Sequence, residues 1–157
     1  MATILHGTAV AIDGHAVLLR GHSGSGKSDL ALRLIDRGAK LISDDGVRFE
    51  PADGIPLLWS VPNIAGKIEV RGVGICTVEF VHSAPLRLVV EFAQDIERMP
   101  PDDVRTSVED FSVPLVALDP FQHSSALKVE LALRSVIDAG RLPMAKQAID
   151  ANESTGF

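Results

Sequence analysis

The sequence predicts an α/β domain built on a β-rich mixed sheet that carries a phosphate-binding loop. Three observations lead there. The stretch "GHSGSGKS" at positions 21–28 lies between an apolar run and an amphipathic one. Short, partly β-branched runs recur along most of the chain, and only two segments carry clear helical periodicity. The 157 residues suffice for one domain with a sizeable core and are too few for two ordinary ones. A single catalytic domain over 1–157 is therefore expected.

Each element has its own signal. "TILHGTAVAI" and "HAVLLR" are apolar runs joined by Asp13-Gly14, the pair that a tight hairpin turn favours. The glycine-rich loop follows directly. "KSDLALRLIDRG" then sets Leu30 with Leu34 and Ala31 with Ile35, the spacing of a helix with one buried face, and Gly38 stands at its C-terminal end. "KLIS" is a short strand running into Asp44-Asp45. "VRFE", "PLLWS", "KIEV", "GICTVEF" and "LRLVVEF" read as strands, with Asp53-Gly54 as a further turn and "VHSAP" as a short connection. The polar, acidic stretch from Ala93 to Phe111 reads as irregular surface, and "PLVALDP" as a last short strand. In "SSALKVELALRSVIDAG" Ala126, Val129, Leu133, Val136 and Ile137 share a helical face, with Ser124 or Ser125 as the cap. The tail after about Pro143 is weakly patterned and is expected to fray.

Composition narrows the function classes. Fifteen Lys and Arg against 21 Asp and Glu give a net charge of -6, with the cations scattered, which argues against a sequence-independent nucleic-acid binder. Cys76 is the only cysteine, so neither an internal disulfide nor a multi-cysteine metal site is available, and a small core residue is its simplest reading. The N-terminus lacks the pattern of a secretory signal, and no run reaches the roughly 18 apolar residues of a membrane span. The expected setting is the cytoplasm, with no membrane contact.

Gly21, Gly26, Lys27 and Ser28 satisfy G-x-x-x-x-G-K-[ST]. Glycines at these positions let backbone N–H groups turn inward around phosphates, and the following helix adds the positive end of its dipole. Gly21, His22, Ser23, Gly24, Ser25, Gly26, Lys27 and Ser28 are thus the expected nucleotide cradle. Lys27 reaches the terminal phosphates and the Ser28 hydroxyl ligates Mg²⁺. A chance glycine-rich turn is the alternative, but the order of strand, loop and helix argues against it. His22 occupies a variable position of the pattern.

Asp44 and Asp45 follow Ser28 by 16 and 17 residues, at the end of the next strand. One carboxylate there can hold Mg²⁺ through water, and the second can take a proton from an attacking hydroxyl. A paired aspartate that merely opens a "DDG" turn is the plainer alternative. His6 sits inside an apolar strand, where a lone histidine is more often a structural hydrogen-bonder. Glu69 and Arg71 flank Val70 on one strand face, aimed at one site or simply solvated; spacing alone favours the solvated face.

"LHG" before the hairpin, "GHSGSGKSDLALRLIDRGAKLISDD" and "EVRGVGI" together resemble HPr kinase/phosphorylase, in order and spacing over about residues 4 to 92 and more loosely beyond. The resemblance implies a phosphate-loop α/β fold similar to the nucleotide domain of phosphoenolpyruvate carboxykinase, here without the separate N-terminal domain. It implies phosphorylation of a serine on the carrier protein HPr with ATP or pyrophosphate, and removal of that phosphate by inorganic phosphate to give pyrophosphate. By position, Asp44 becomes the general base with Asp45 beside it. Glu69 supports the metal with Ser28 and Asp45, Arg71 is the signature arginine, and His6 lies near the phosphate pocket. The family assembles as hexamers, so a homo-oligomer is expected.

Two departures stand out. Where many members carry an arginine-rich "RPGRN"-like segment, this chain has "LDPFQHSSALK", and the connection after "EVRGVGI" is short. Both bear on the phosphorolytic half and on assembly. The rival readings are a small-molecule kinase of the shikimate or gluconate type, whose arginine lid only Arg98 and Arg105 could supply, and an ATP-sensing regulator without transfer. A GTPase is disfavoured because N-K-x-D is missing.

Overall fold

The computed structural model describes residues 2–146. The first strands are β1 (Thr3–Leu5), β2 (Thr8–Ile12) and β3 (His15–Arg20), followed by helix α1 (Lys27–Asp36). Then come β4 (Lys40–Ser43), β5 (Val47–Phe49), β6 (Leu57–Trp59), β7 (Lys67–Val70), β8 (Gly74–Thr77) and the ten-residue β9 (Ser83–Phe92). Strands β10 (Arg105–Val108) and β11 (Phe111–Leu118), helix α2 (Ser125–Asp138) and β12 (Met144–Ala145) complete the described chain.

The architecture is mixed α/β. Among the described residues ten strands form one sheet with the path β1-β5-β6-β9-β3-β2-β4, and β11 also pairs β9. Only β3, β9 and β11 run parallel to one another; the other pairings are antiparallel. Strand β9 is long enough for β6 to pair its first half and β11 its second half. Strands β7 and β8 form a separate two-stranded ribbon.

Period-two alternation explains why both sheet faces are buried. Val10, Val17, Leu19, Leu88 and Val90 face α1 and α2, where Leu30, Leu34, Val129 and Leu133 pack against them. Their neighbours Ala9, Ala11, Ala16, Leu18, Leu86 and Val89 face the other way, into a second core with Ile42, Val47, Leu58 and Val113. That core is closed by the edge-to-face contact of Phe49 and Phe111, with ring centroids 6.0 Å apart.

The hairpin turn forms at Asp13-Gly14, both residues taking positive φ (50° and 80°) as a two-residue turn of this hand requires. At the end of α1 the N–H of Ala39 returns to the Leu34 carbonyl and that of Gly38 to Ile35, which closes the helix as expected. Three expectations need correction. The Ala93–Phe111 stretch is not wholly irregular: Arg105–Val108 pairs with β11, its polar residues sitting where only one face is covered. The strand expected from Pro114 begins at Phe111, because Pro114 is tolerated inside a strand whose flanking residues still pair, and it is not the last, since β12 follows α2. Neither serine caps α2 through its side chain; the Ser125 hydroxyl donates instead to the Asp119 carbonyl at 2.6 Å. Of the tail expected to fray, Met144 and Ala145 pair with Ser112 and Phe111, and positions 147–157 lie outside the described residues.

Candidate active site

The phosphate loop leaves the C-terminal end of β3 and enters α1 at Lys27. Two glycines are dictated by geometry. Gly26 caps the helix at φ 103°, a left-handed conformation that L side chains rarely adopt. A Cβ at Gly21 would meet the Ser25 hydroxyl at 2.4 Å and the Phe92 ring at 3.0 Å, so a side chain there would have to displace both. Ser23 and Gly24 are exposed, and the His22 ring turns back onto the Ser23 carbonyl at 3.0 Å. The Ser25 hydroxyl is buried within the loop without a hydrogen-bond partner, a vacant polar group of the kind a bound phosphate oxygen would satisfy.

Lys27 is buried, and its ammonium donates to the carbonyls of Gly21 at 2.8 Å and His22 at 3.0 Å. These carbonyls accept two of its three protons. The same Nζ lies 4.0 Å from Asp45 Oδ1.

Antiparallel pairing of β2 with β4 sets Ala9 opposite Ser43, so the next residues out, Thr8 and Asp44, meet. Asp44 is buried, and its oxygens collect three donors: the Ser28 hydroxyl at 2.7 Å and the Thr8 hydroxyl at 3.1 Å on Oδ1, and the Glu69 N–H at 3.0 Å on Oδ2. Burial of a carboxylate is tolerable only with such partners. Asp45 differs in every respect. Its side chain is 65% exposed, its φ is 58°, its N–H donates to the Thr8 hydroxyl at 3.1 Å, and its Oδ1 lies 3.9 Å from His6 Nδ1. One hydroxyl therefore positions both aspartates.

Thr8 was not singled out by the sequence; its only signal is a polar residue in an apolar strand two positions after His6. Thr8→Val keeps the shape but removes the donor to Asp44 and the acceptor for Asp45. It is expected to destabilise the fold by about 1–3 kcal/mol in urea unfolding, with Thr8→Ser recovering most of the loss. An unchanged midpoint for Thr8→Val would remove the positioning role.

Glu69 contributes its backbone N–H to Asp44, while its side chain is exposed. Arg71 is solvated, as its spacing favours, but not on a strand face. It lies beyond the end of β7, in the exposed turn before β8, so the two-residue strand period that would place it on the face of Glu69 does not extend to it. Among the described residues it makes no hydrogen bond or ion pair with the loop or the aspartates.

The oxygens of Ser28 and Asp44 are hard donors 2.7 Å apart at the mouth of the loop, a pair that fits a small divalent cation sharing phosphate oxygens. No cluster of three or more His, Cys, Asp or Glu side chains able to hold a metal by itself occurs among the described residues. The donor set therefore suits a nucleotide-borne Mg²⁺ better than a resident metal.

A family model described as "HPr Serine kinase C-terminal domain" matches residues 1–137. The chain belongs to this family. Similar relatives named HPr kinase/phosphorylase come from Clostridium botulinum (strain Eklund 17B), 49% identical over 77 residues, 48% of this chain and 25% of that protein. One from Listeria welshimeri is 32% identical over 127 residues, 73% of this chain and 41% of that protein. The chain thus matches between a quarter and about two fifths of the length of these curated relatives. The structure titled "Structure of the Hpr(Ser) kinase/phosphatase from Coxiella burnetii" aligns with a TM-score of 0.76 at 24% identity, over 88% of this chain and 99% of that one. At that identity it shows a shared fold. No helix among the described residues is long and apolar enough to cross a membrane.

Proposed function

We propose that this chain transfers the terminal phosphoryl group of ATP to a serine hydroxyl of an HPr-type phosphocarrier protein in the cytoplasm, and reverses the modification by phosphorolysis. The observation that carries the reading is the Ser28–Asp44–Thr8–Asp45 hydrogen-bond chain set beside the buried Lys27. Membership of the family supplies the acceptor class.

The loop amides and Lys27 hold the phosphates. Bound Mg²⁺ would supply neutralisation of the phosphate charge, held by Ser28 and Asp44, with the Glu69 carboxylate as a further support. Burial divides the work of the aspartates. Both oxygens of Asp44 already accept hydrogen bonds, from Ser28 and Thr8 on one and the Glu69 N–H on the other, which makes it an anchor for Ser28. Asp45 is open and next to Lys27, so it is the carboxylate an arriving hydroxyl reaches. This reverses the assignment implied by resemblance, in which Asp44 was the base.

In the forward direction Asp45 takes the serine proton, the serine oxygen bonds to the γ-phosphorus, and the bond to the β–γ bridging oxygen breaks to release ADP. In the reverse direction an oxygen of inorganic phosphate attacks the phosphoserine. Asp45 takes the proton of that attacking phosphate and passes it to the serine oxygen as the bond from serine to phosphorus breaks, so serine and pyrophosphate leave. His6, beside Asp45, orients that carboxylate. Arg71, exposed on the β7–β8 turn, is assigned to the arriving phosphoprotein. Assembly into a homo-oligomer belongs to the same proposal.

The test is direct. Incubation with labelled ATP, Mg²⁺ and the cognate HPr-type protein is expected to place label on a serine. Adding excess inorganic phosphate to the purified phosphoprotein is expected to release pyrophosphate. Label appearing on a small metabolite, with the carrier protein ignored, would overturn the assignment.

A further inference from the structure

The segment Asp119–Gln122, between β11 and α2, presents an aromatic ring that the proposed chemistry does not use. Phe121 is 72% exposed, more than any other Phe or Trp side chain among the described residues. Its ring edge lies against the phosphate loop: a Cβ on Gly26 would meet Phe121 Cε1 at 3.1 Å and Cζ at 3.3 Å. A single exposed apolar side chain is ordinary, and what sets this ring apart is its contact with the phosphate loop.

The ring is also held in place. The Phe121 N–H donates to Asp119 Oδ1 at 2.9 Å, and the Ser125 hydroxyl ties the Asp119 carbonyl to the start of α2. Lys128 Nζ donates to Gln122 Oε1 at 2.6 Å. From the other side Arg33 of α1 donates to the carbonyls of Pro120 and Gln122, while its Nε is fixed by Asp29 at 3.1 Å. The segment is thus clamped between the two helices that flank the loop. A preset exposed ring loses little freedom on binding a flat partner.

Position decides what that partner is. Strand β11 runs parallel to β9, and β9 to β3, so Phe121 and the phosphate loop emerge at the same carboxyl edge of the parallel strands. Ligands of open α/β sheets bind at that edge. The other ring at the loop, Phe92, is half-buried and packed on the core beside Gly21. We infer that Phe121 is the stacking platform for the base of the bound nucleotide. The inference rests on the nucleotide reading above and adds the base subsite to it. Stacking reads the π-face that every base has, so the platform favours nucleotides over bare polyphosphates without choosing strongly between purines.

Titration calorimetry of the full chain with Mg²⁺ and ATP, GTP or pyrophosphate separates the possibilities. Phe121→Ala is expected to weaken ATP and GTP by about tenfold or more and to leave pyrophosphate affinity unchanged, with Phe121→Leu close to Ala and Phe121→Trp restoring affinity. Unaltered pyrophosphate binding also reports an intact loop. If Phe121→Ala leaves ATP affinity untouched, or weakens ATP and pyrophosphate equally, the stacking role is overturned while the nucleotide reading stands. A loss confined to the KM for the carrier protein would reassign the ring to that partner and overturn the inference as well. Failure of the parent chain to bind either ligand would remove both.

Discussion

An Asp45→Asn variant is expected to keep its affinity for ATP and to lose about 10²–10⁴-fold in serine phosphorylation. The substitution is nearly isosteric, and asparagine accepts the left-handed backbone that Asp45 adopts at φ 58° as readily as aspartate does. The bond to Thr8 uses the backbone N–H and survives. What disappears is the open lone pair beside Lys27, which an amide cannot supply as a base. Phosphorolysis should fall with the forward reaction, because the same group must return the proton. Asp44→Asn behaves differently: its amide nitrogen would face the Ser28 and Thr8 hydroxyls or the Glu69 N–H, so the fold and the Mg²⁺-dependence of nucleotide binding suffer first. Steady-state transfer alongside calorimetry distinguishes the two. Near-parental turnover by Asp45→Asn, with a folded and inactive Asp44→Asn, would return the base to Asp44.

Lys27→Ala should weaken phosphate binding and transfer together. The Lys27 side chain is 4% exposed, so its ammonium is largely desolvated and an anion entering the loop gains a charge-assisted hydrogen bond. Such bonds are worth about 1.5–3 kcal/mol each, so losing one weakens pyrophosphate binding by roughly 10- to 100-fold. Alanine also leaves the Gly21 and His22 carbonyls without their donor, which loosens the loop in the absence of ligand. Lys27→Arg should not rescue, because a planar fork cannot replace a compact ammonium in a space closed by Gly21 and His22. Pyrophosphate binding by Lys27→Ala at the parental level would show that the loop amides suffice and that the lysine serves only turnover.

How much of this was legible in the sequence depends on distance along the chain. The hairpin, the loop and α1 are short-range structures, and Asp13-Gly14, the glycine pattern and the spacing of Leu30 and Leu34 encode them locally. Thr8 escaped because its role exists only once β2 lies beside β4. The burial difference between Asp44 and Asp45 escaped for the same reason, being produced by donors from β2, α1 and β7 that adjacent residues in a sequence cannot reveal. Arg71 is solvated, as its spacing favours, but lies one residue past β7, where the two-residue period no longer applies. The Arg105–Val108 strand was hidden by polar residues, which an outer strand with one covered face can carry.

Strand pairing has a temporal side. His6, Thr8, the loop and both aspartates fall within one contiguous segment, and only the Glu69 N–H reaches Asp44 from farther along. The floor beneath them is another matter: Leu18 finds its parallel neighbour Val89 only after the intervening chain has closed a long loop. Local contacts form fast and remote ones slowly. During synthesis the chemical groups of the site can therefore gather early, while the rigidity that holds them in register arrives only when β9 docks.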